Sequence, residues 1–256
     1  MTCSRTWFVT GRDRRLAIPP NLARSRRCSV PNVGAQRARP TPEALAANVT
    51  NEGGVYGTYR LLKNVMGLWI LQQCRATWAA AGQEYSYAEL VQLAEKAEPL
   101  QAIFNPNDPI FLQPGDHPQH IRDLCQQTGQ PVPQSVGAVV RSVLESLALA
   151  YREVLELVQQ VSNQPVSTLH IVGGGTQNQL LNQLTANATG LPVVAGPIEA
   201  TVMGNALVQL ITLGEIADFR QARDIVAGMA ELRRYEPVDT AVWNEVYGRY
   251  QHLIHQ

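Results

Sequence analysis

The chain has 256 residues, 45% of them hydrophobic and 16% charged, a balance that suits one large globular domain or two small ones. No apolar run approaches the ~20 residues that cross a bilayer, which argues against a membrane-spanning protein. The formal net charge of zero hides a split: residues 1–40 hold nine arginines and one acid, whereas residues 41–256 hold twelve Lys and Arg against twenty Asp and Glu, a formal charge of −8 that argues against a general nucleic-acid binder.

Residues 1–40 have neither a period of 2 nor one of 3.6, and their arginines come with prolines and almost no acids. Such a segment buries too little apolar surface to offset the entropy of ordering, so no packed element is expected there. Three origins fit its composition: an organelle transit peptide, a basic tail for an acidic partner, and out-of-frame translation of GC-rich DNA. Prolines and the lack of an amphipathic face weaken the first, and the third accounts best for the mixture of Arg, Pro, Ala and Ser. Four cysteines (Cys3, Cys28, Cys74, Cys125) are scattered without a CxxC pair or ligand-like histidine spacing. That pattern fits reduced cytosolic thiols rather than a disulfide framework or a zinc site.

From Thr41 the character changes. Thr41-Pro42-Glu43 has the form of a helix start, with a capping hydroxyl, a proline at the first position and an early acid. After the polar stretch NVTNEGGVYGTYR, apolar residues recur at helical spacing over 61–82 and stop at Gly82, which predicts a helix. A second helix is predicted over 87–98, started by Ser86 with Glu89 three residues on. Residues 99–118 are rich in Pro, Asn and Asp and predict an ordered loop. Helices follow over 119–128 and 136–161, the latter with a stripe of Val139, Val140, Val143, Leu144, Leu147, Tyr151, Val154 and Leu155.

The segment HIVGGGTQNQLLNQL then places three glycines between a β-branched run and a helical pattern. The spacing predicts a strand over 168–172, a turn over 173–175, a helix over 178–188, a strand over 191–194, a turn over 195–197 and a helix over 199–213. A crossover of this size implies parallel pairing and a right-handed connection, so the body is mixed α/β. Glycines after a parallel strand let a ligand approach the backbone, and the following helix offers free N–H groups. The turn is no Walker loop, because no Gly-Lys-Ser/Thr follows, and the third position of a dinucleotide fingerprint falls on Asn178. A tight turn that only packs the helix on the strand is the competing explanation. The second turn, Ala195-Gly196-Pro197, favours binding, because two small-residue turns at one end of a parallel sheet make a cleft. Along the helix that follows, Ala200, Gly204 and Ala206 suit a close neighbour or a flat ligand, and Glu199 suits the helix dipole.

NEGGVYGTYRLLKNVMGLWILQ, FNPNDPIFLQP and HIVGGGTQNQLLNQLTANATGLPVVAGPIEATVMGN together resemble the rhamnulokinases of the FGGY carbohydrate kinase family, from about Pro42 onward. The resemblance implies an actin/hexokinase-like (ribonuclease H-like) α/β ATPase domain over 41–256, the C-terminal half of a two-domain, cytoplasmic sugar kinase. It implies ATP and Mg²⁺ as cofactors and a small sugar as substrate, with no nucleic acid, membrane or protein partner. By position in the motifs, Asn64 falls where the family contacts the sugar. Gln72, Gly174 and its neighbours Gly173 and Gly175 fall on the ATP side, with Asn178 beside the adenosine. Taken by themselves, Asn64 and Gln72 are polar positions on a packing helix, and Lys63 is a solvated lysine.

Phosphoryl transfer also needs a phosphate grip and a base, and here the chain departs from the family. The family's Asp-x-Gly-Thr/Ser hairpin has no counterpart, since no Asp-x-Gly occurs in the sequence. The family's catalytic Asp is expected upstream, and Asp108, Asp116 and Asp123 lie outside its motif. Ser4-Arg5-Thr6-Trp7 echoes an ATP-contacting Ser-Gly-Thr-Trp segment but replaces its glycine and stands too far from Asn48, so Thr6 is left out of the site. Cys125, whose counterpart is paired in some relatives, faces Ser142 at the partner position and is expected free. The expectation is a truncated rhamnulokinase without turnover of its own. A kinase for another ketose such as fuculose or xylulose, or a non-catalytic nucleotide- or sugar-binding remnant, are the alternatives.

Overall fold

The computed structural model describes residues 5–10, 29–35, 38, 40–229 and 231–255, the first two stretches by backbone alone. Its strands are β1 (Arg5–Thr10), β2 (Ser29–Ala35), β3 (Thr50–Gly53), β4 (Tyr59–Asn64), β5 (Thr168–Gly173), β6 (Val193–Ala195) and β7 (Arg233–Tyr235). Among the described residues they form one sheet in the order β3-β4-β2-β1-β5-β6-β7. The β1–β2 and β5–β6 pairs are parallel and the other four antiparallel. The expected parallel unit is therefore present, with His170 opposite Val194.

Two expectations meet a different structure. The composition of residues 1–40 predicts no packed element, yet β1 pairs with β5 and β2 with β4 inside the sheet. Ladder bonds between backbone groups need no side-chain period, so composition alone does not reveal them. The expectation for residues 1–4, 11–28, 36, 37 and 39 lies outside the described residues, and with it Cys3 and Cys28. The helix predicted over 61–82 is split into β4 and a shorter helix, α2 (Trp69–Ala80). Leu61 and Leu62 fit either period, and pairing with β2 and β3 on both sides decides for strand.

The other helices are α1 (Pro42–Ala46), α3 (Tyr87–Glu95), α4 (His117–Gln127), α5 (Val136–Ser162), α6 (Gln179–Thr189), α7 (Ala200–Leu213), α8 (Phe219–Met229) and α9 (Thr240–Ile254). Their starts follow local chemistry. Thr41 caps α1, whose first residue is Pro42. Ser86 and Glu89 form a reciprocal capping box on α3. None of the helices described is long and apolar enough to cross a membrane.

α5 carries the core. Val139, Val140, Val143, Leu144, Leu147, Val154 and Leu155 are all buried on it, and burying each such side chain contributes roughly 1.5–3 kcal/mol. Leu169 and Ile171 of β5 join this core, whereas Val172, pointing the other way, packs on Ala200 of α7. β5 is thus covered on both faces, and its C-terminal end is where the glycine turn begins. α3 crosses α5 at Gly137, where a Cβ would overlap the Leu93 carbonyl. Only glycine lets the two helices approach so closely.

Candidate functional site

β5 ends on Gly173, whose φ of +79 and ψ of −161 lie in a region essentially reserved for glycine. A short 3-10 turn, Gly174–Gln177, leads into α6. Side chains lock it: Thr176 Oγ1 donates to the Gly173 carbonyl at 2.8 Å, and Asn182 Nδ2 to the Thr176 carbonyl at 3.0 Å. Asn178 Oδ1 accepts from the Leu181 N–H at 2.9 Å and so caps α6, which leaves its amide NH₂ as the group free to face a ligand. The second small-residue turn is tied to the first. Gly196 N–H donates to the Ile171 carbonyl at 2.8 Å and Gly173 N–H to the Pro197 carbonyl at 3.1 Å.

Gly174 is exposed, while Gly173 and Gly175 are buried. Gly174, Gln177, Asn178 and Gln179 form one wall of a cleft of about 650 Å³. Leu68, at the N-cap of α2, and Gln72, one turn into it, also line the cleft, and α3 supplies Tyr87, Ala88, Val91, Gln92 and Glu95. Of the positions expected to face ATP, the structure therefore brings Gln72, Gly174 and Asn178 together. Gly173 and Gly175 shape the turn from beneath. Asn64 is not part of this lining: it sits exposed at the end of β4, opposite Ser29 of β2.

Among the described residues the lining holds one charged side chain, Glu95. Leu68 and Val91 among amide side chains suit an uncharged heterocycle with its ribose. Lys63, expected to be solvated, is half-buried, and its Nζ donates to the Ala47 carbonyl at 2.5 Å. Burial pushes its ammonium below the usual lysine range, against the pull of Glu153.

The aspartates outside the family motif have structural partners. Asp108 and Asp116 accept from the backbone N–H groups of Ile110 and Gln119, at 2.9 and 3.1 Å, and Asp123 accepts from the Gln119 side chain. Cys74 and Cys125 are free and buried, and Ser142 Oγ donates to the Ala102 carbonyl. On α7, Ala200 and Gly204 are buried but Ala206 is exposed, so the small-residue stripe is only partly used for packing, and Glu199 makes no side-chain cap bond. The α3 residues were missed at the level of sequence. Positions 88, 91, 92 and 95 share a helical face away from buried Leu90 and Ala94, so the period held the signal.

The C-terminal domain of the FGGY family of carbohydrate kinases matches residues 32–213. The chain is 47% identical over 214 residues to the rhamnulokinase of Bacteroides thetaiotaomicron, covering 84% of this chain and 43% of that protein. It is 46% identical over 200 residues to the rhamnulokinase of Pectobacterium carotovorum, covering 77% and 39%. The chain thus spans about two fifths of the length of these curated relatives. Its fold is shared with a xylulose kinase from Rhodospirillum rubrum (TM-score 0.63, 18% identity, 88% of this chain and 44% of that one). It is shared also with Plasmodium falciparum glycerol kinase with ADP (TM-score 0.58, 13% identity, 77% and 38%). Sequence match and fold agree, and the chain belongs to the FGGY family of carbohydrate kinases.

Proposed function

We propose that this chain is the nucleotide-holding C-terminal part of an ATP-dependent rhamnulokinase, an enzyme that moves the γ-phosphoryl group of ATP to the 1-hydroxyl of L-rhamnulose. The observation that carries the proposal is the convergence of Gln72, Gly174 and Asn178, from separate segments, on one cleft. Identity of 46–47% to rhamnulokinases supports rhamnulose as the sugar.

Adenosine fits the cleft with its plane against the bare backbone at Gly174 and its polar edge toward the Gln72 and Asn178 amides. Asn64, near the end of β4, is the contact on the sugar side. Mg²⁺ neutralises the phosphates in such a transfer. In this reading the ion is held by the phosphates and by a partner segment. The phosphate grip and the base for the sugar hydroxyl belong to that same segment, because the sequence contains no Asp-x-Gly. The chain alone then binds nucleotide without turnover, in the cytoplasm.

Calorimetric titration of the 256-residue chain with ATP and Mg²⁺ should show saturable binding, and a panel of ketoses no phosphorylation. Joined to the upstream half of the Bacteroides relative, the chain should phosphorylate L-rhamnulose ahead of fuculose and xylulose, and Asn64→Ala should weaken sugar binding much more than ATP binding. Turnover by the chain alone, or absence of ATP binding, sinks the proposal.

A further inference from the structure

Two long-range hydrogen bonds converge on the short connection between β4 and α2. On one side of Gly67, the Met66 N–H donates to Asn107 Oδ1 at 2.9 Å; on the other, the Trp69 indole N–H donates to the Phe111 carbonyl at 3.0 Å. Both acceptors lie on the Pro- and Asn-rich loop before α4, which the cleft itself does not use. That loop is internally stiff. Asn105 Oδ1 accepts from the Asn107 N–H at 3.0 Å, Asp108 Oδ1 accepts from Ile110, and the Phe111 ring is fully buried between Phe104 and His117. The connection is anchored by Val65, buried in the core, but Leu68 gives α2 no side-chain cap. Yet it sets the spacing between Asn64, which ends β4, and Gln72, which lines the cleft.

We infer that Asn107 is a positioning residue: its side-chain carbonyl, together with the Phe111 carbonyl, braces residues 65–68 and so fixes where Gln72 meets the nucleotide relative to Asn64. The role rests on the nucleotide site proposed above. Asn107 itself touches neither substrate. It holds a backbone amide that belongs to neither strand nor helix, and a neighbouring bond holds the first residue of the helix.

The test uses the whole 256-residue chain. Asn107→Leu removes the acceptor at similar size, whereas Asn107→Asp keeps an acceptor oxygen in place. With one hydrogen bond at stake, Asn107→Leu should weaken ATP binding about fivefold and speed amide exchange over residues 66–72 about tenfold, with an unchanged melting temperature. Asn107→Asp should restore both. An ATP affinity untouched in the Leu variant, or weakened equally in the Asp variant, overturns the positioning role and leaves the nucleotide site standing. No ATP binding by the unaltered chain overturns the site, and the positioning role falls with it. Should Asn107→Leu not fold, Trp69→Phe removes the second bond alone and carries the same expectations.

Discussion

The two walls of the cleft are built in opposite ways. The glycine wall presents backbone, and its shape is set by a positive φ at Gly173 and by bonds to the neighbouring turn at Gly196 and Pro197. The α3 wall presents exposed or half-exposed side chains, Tyr87, Val91, Gln92 and Glu95, on a helix held by a capping box and by its contact with α5. A backbone wall makes few distinctions but tolerates almost no change at its defining residue. A side-chain wall makes distinctions and tolerates change, provided the helix beneath stays where it is.

The largest effects should come from breaking each wall at its glycine. Gly173→Ala forces a Cβ into backbone space that costs on the order of 1–3 kcal/mol, and the turn that must relax is the one Gly174 depends on. A loss of stability of about 2 kcal/mol and a more than tenfold loss of ATP affinity are expected, by urea melts and titration. Gly137→Ala acts from beneath α3, because its methyl would overlap the Leu93 carbonyl, backbone that cannot swing aside. Overpacking of that kind costs about 1–3 kcal/mol, but nucleotide affinity should fall only severalfold, since α3 shifts as a body. Equal affinity losses would contradict the division between the walls.

The same contrast explains what was legible in the sequence. Gly173–Gly175, the parallel pair and the helices after each turn were legible because a bare backbone needs glycine and glycine has few other uses there. The α3 capping box was legible because its two residues sit at a fixed spacing. The α3 face of the cleft was not singled out, since exposed Gln, Glu and Ala at helical spacing look like any solvated surface. β4 was misjudged as helix because Leu61 and Leu62 satisfy both periods and only strands distant in sequence choose between them. β1 and β2 escaped for a similar reason: sheet pairing is a property of partners, not of the segment's own pattern.

Acid should weaken the glycine wall and the loop that braces α2 by a common route. His117 is buried with both ring nitrogens unpartnered beneath the loop that braces α2, and His170 has its Nδ1 buried and unpartnered on β5. Burial first and neighbouring His120 second push His117 down to about 4, against the pull of Asp116, and burial pushes His170 to about 4 as well. Both folded values lie below the ~6.5 of an unfolded histidine, so the unfolded chain takes up protons first as pH falls. The stability from keeping these rings neutral is whole above about pH 6.5 and is lost progressively between there and about 4. Urea melts at pH 7.5 and 5.5 should show part of the loss, and His117→Phe should flatten it. If only a His170 substitution flattens the curve, the glycine wall is the acid-sensitive one.

The smallest effect concerns Glu95, the one charged side chain among the described residues that line the cleft. It neither fixes the turn nor holds α3, so Glu95→Gln should leave the melting temperature unchanged. Its charge should still be felt by a ligand carrying several negative charges, and hardly at all by one that carries none. At low salt Glu95→Gln should therefore raise ATP affinity about twofold and leave adenosine affinity as it was, the gain fading as salt is added. A drop in affinity for both ligands would mean that the carboxylate accepts a hydrogen bond from the base or ribose. The α3 wall would then recognise the nucleoside directly, and the contrast between a shaping wall and a reading wall would become sharper rather than weaker.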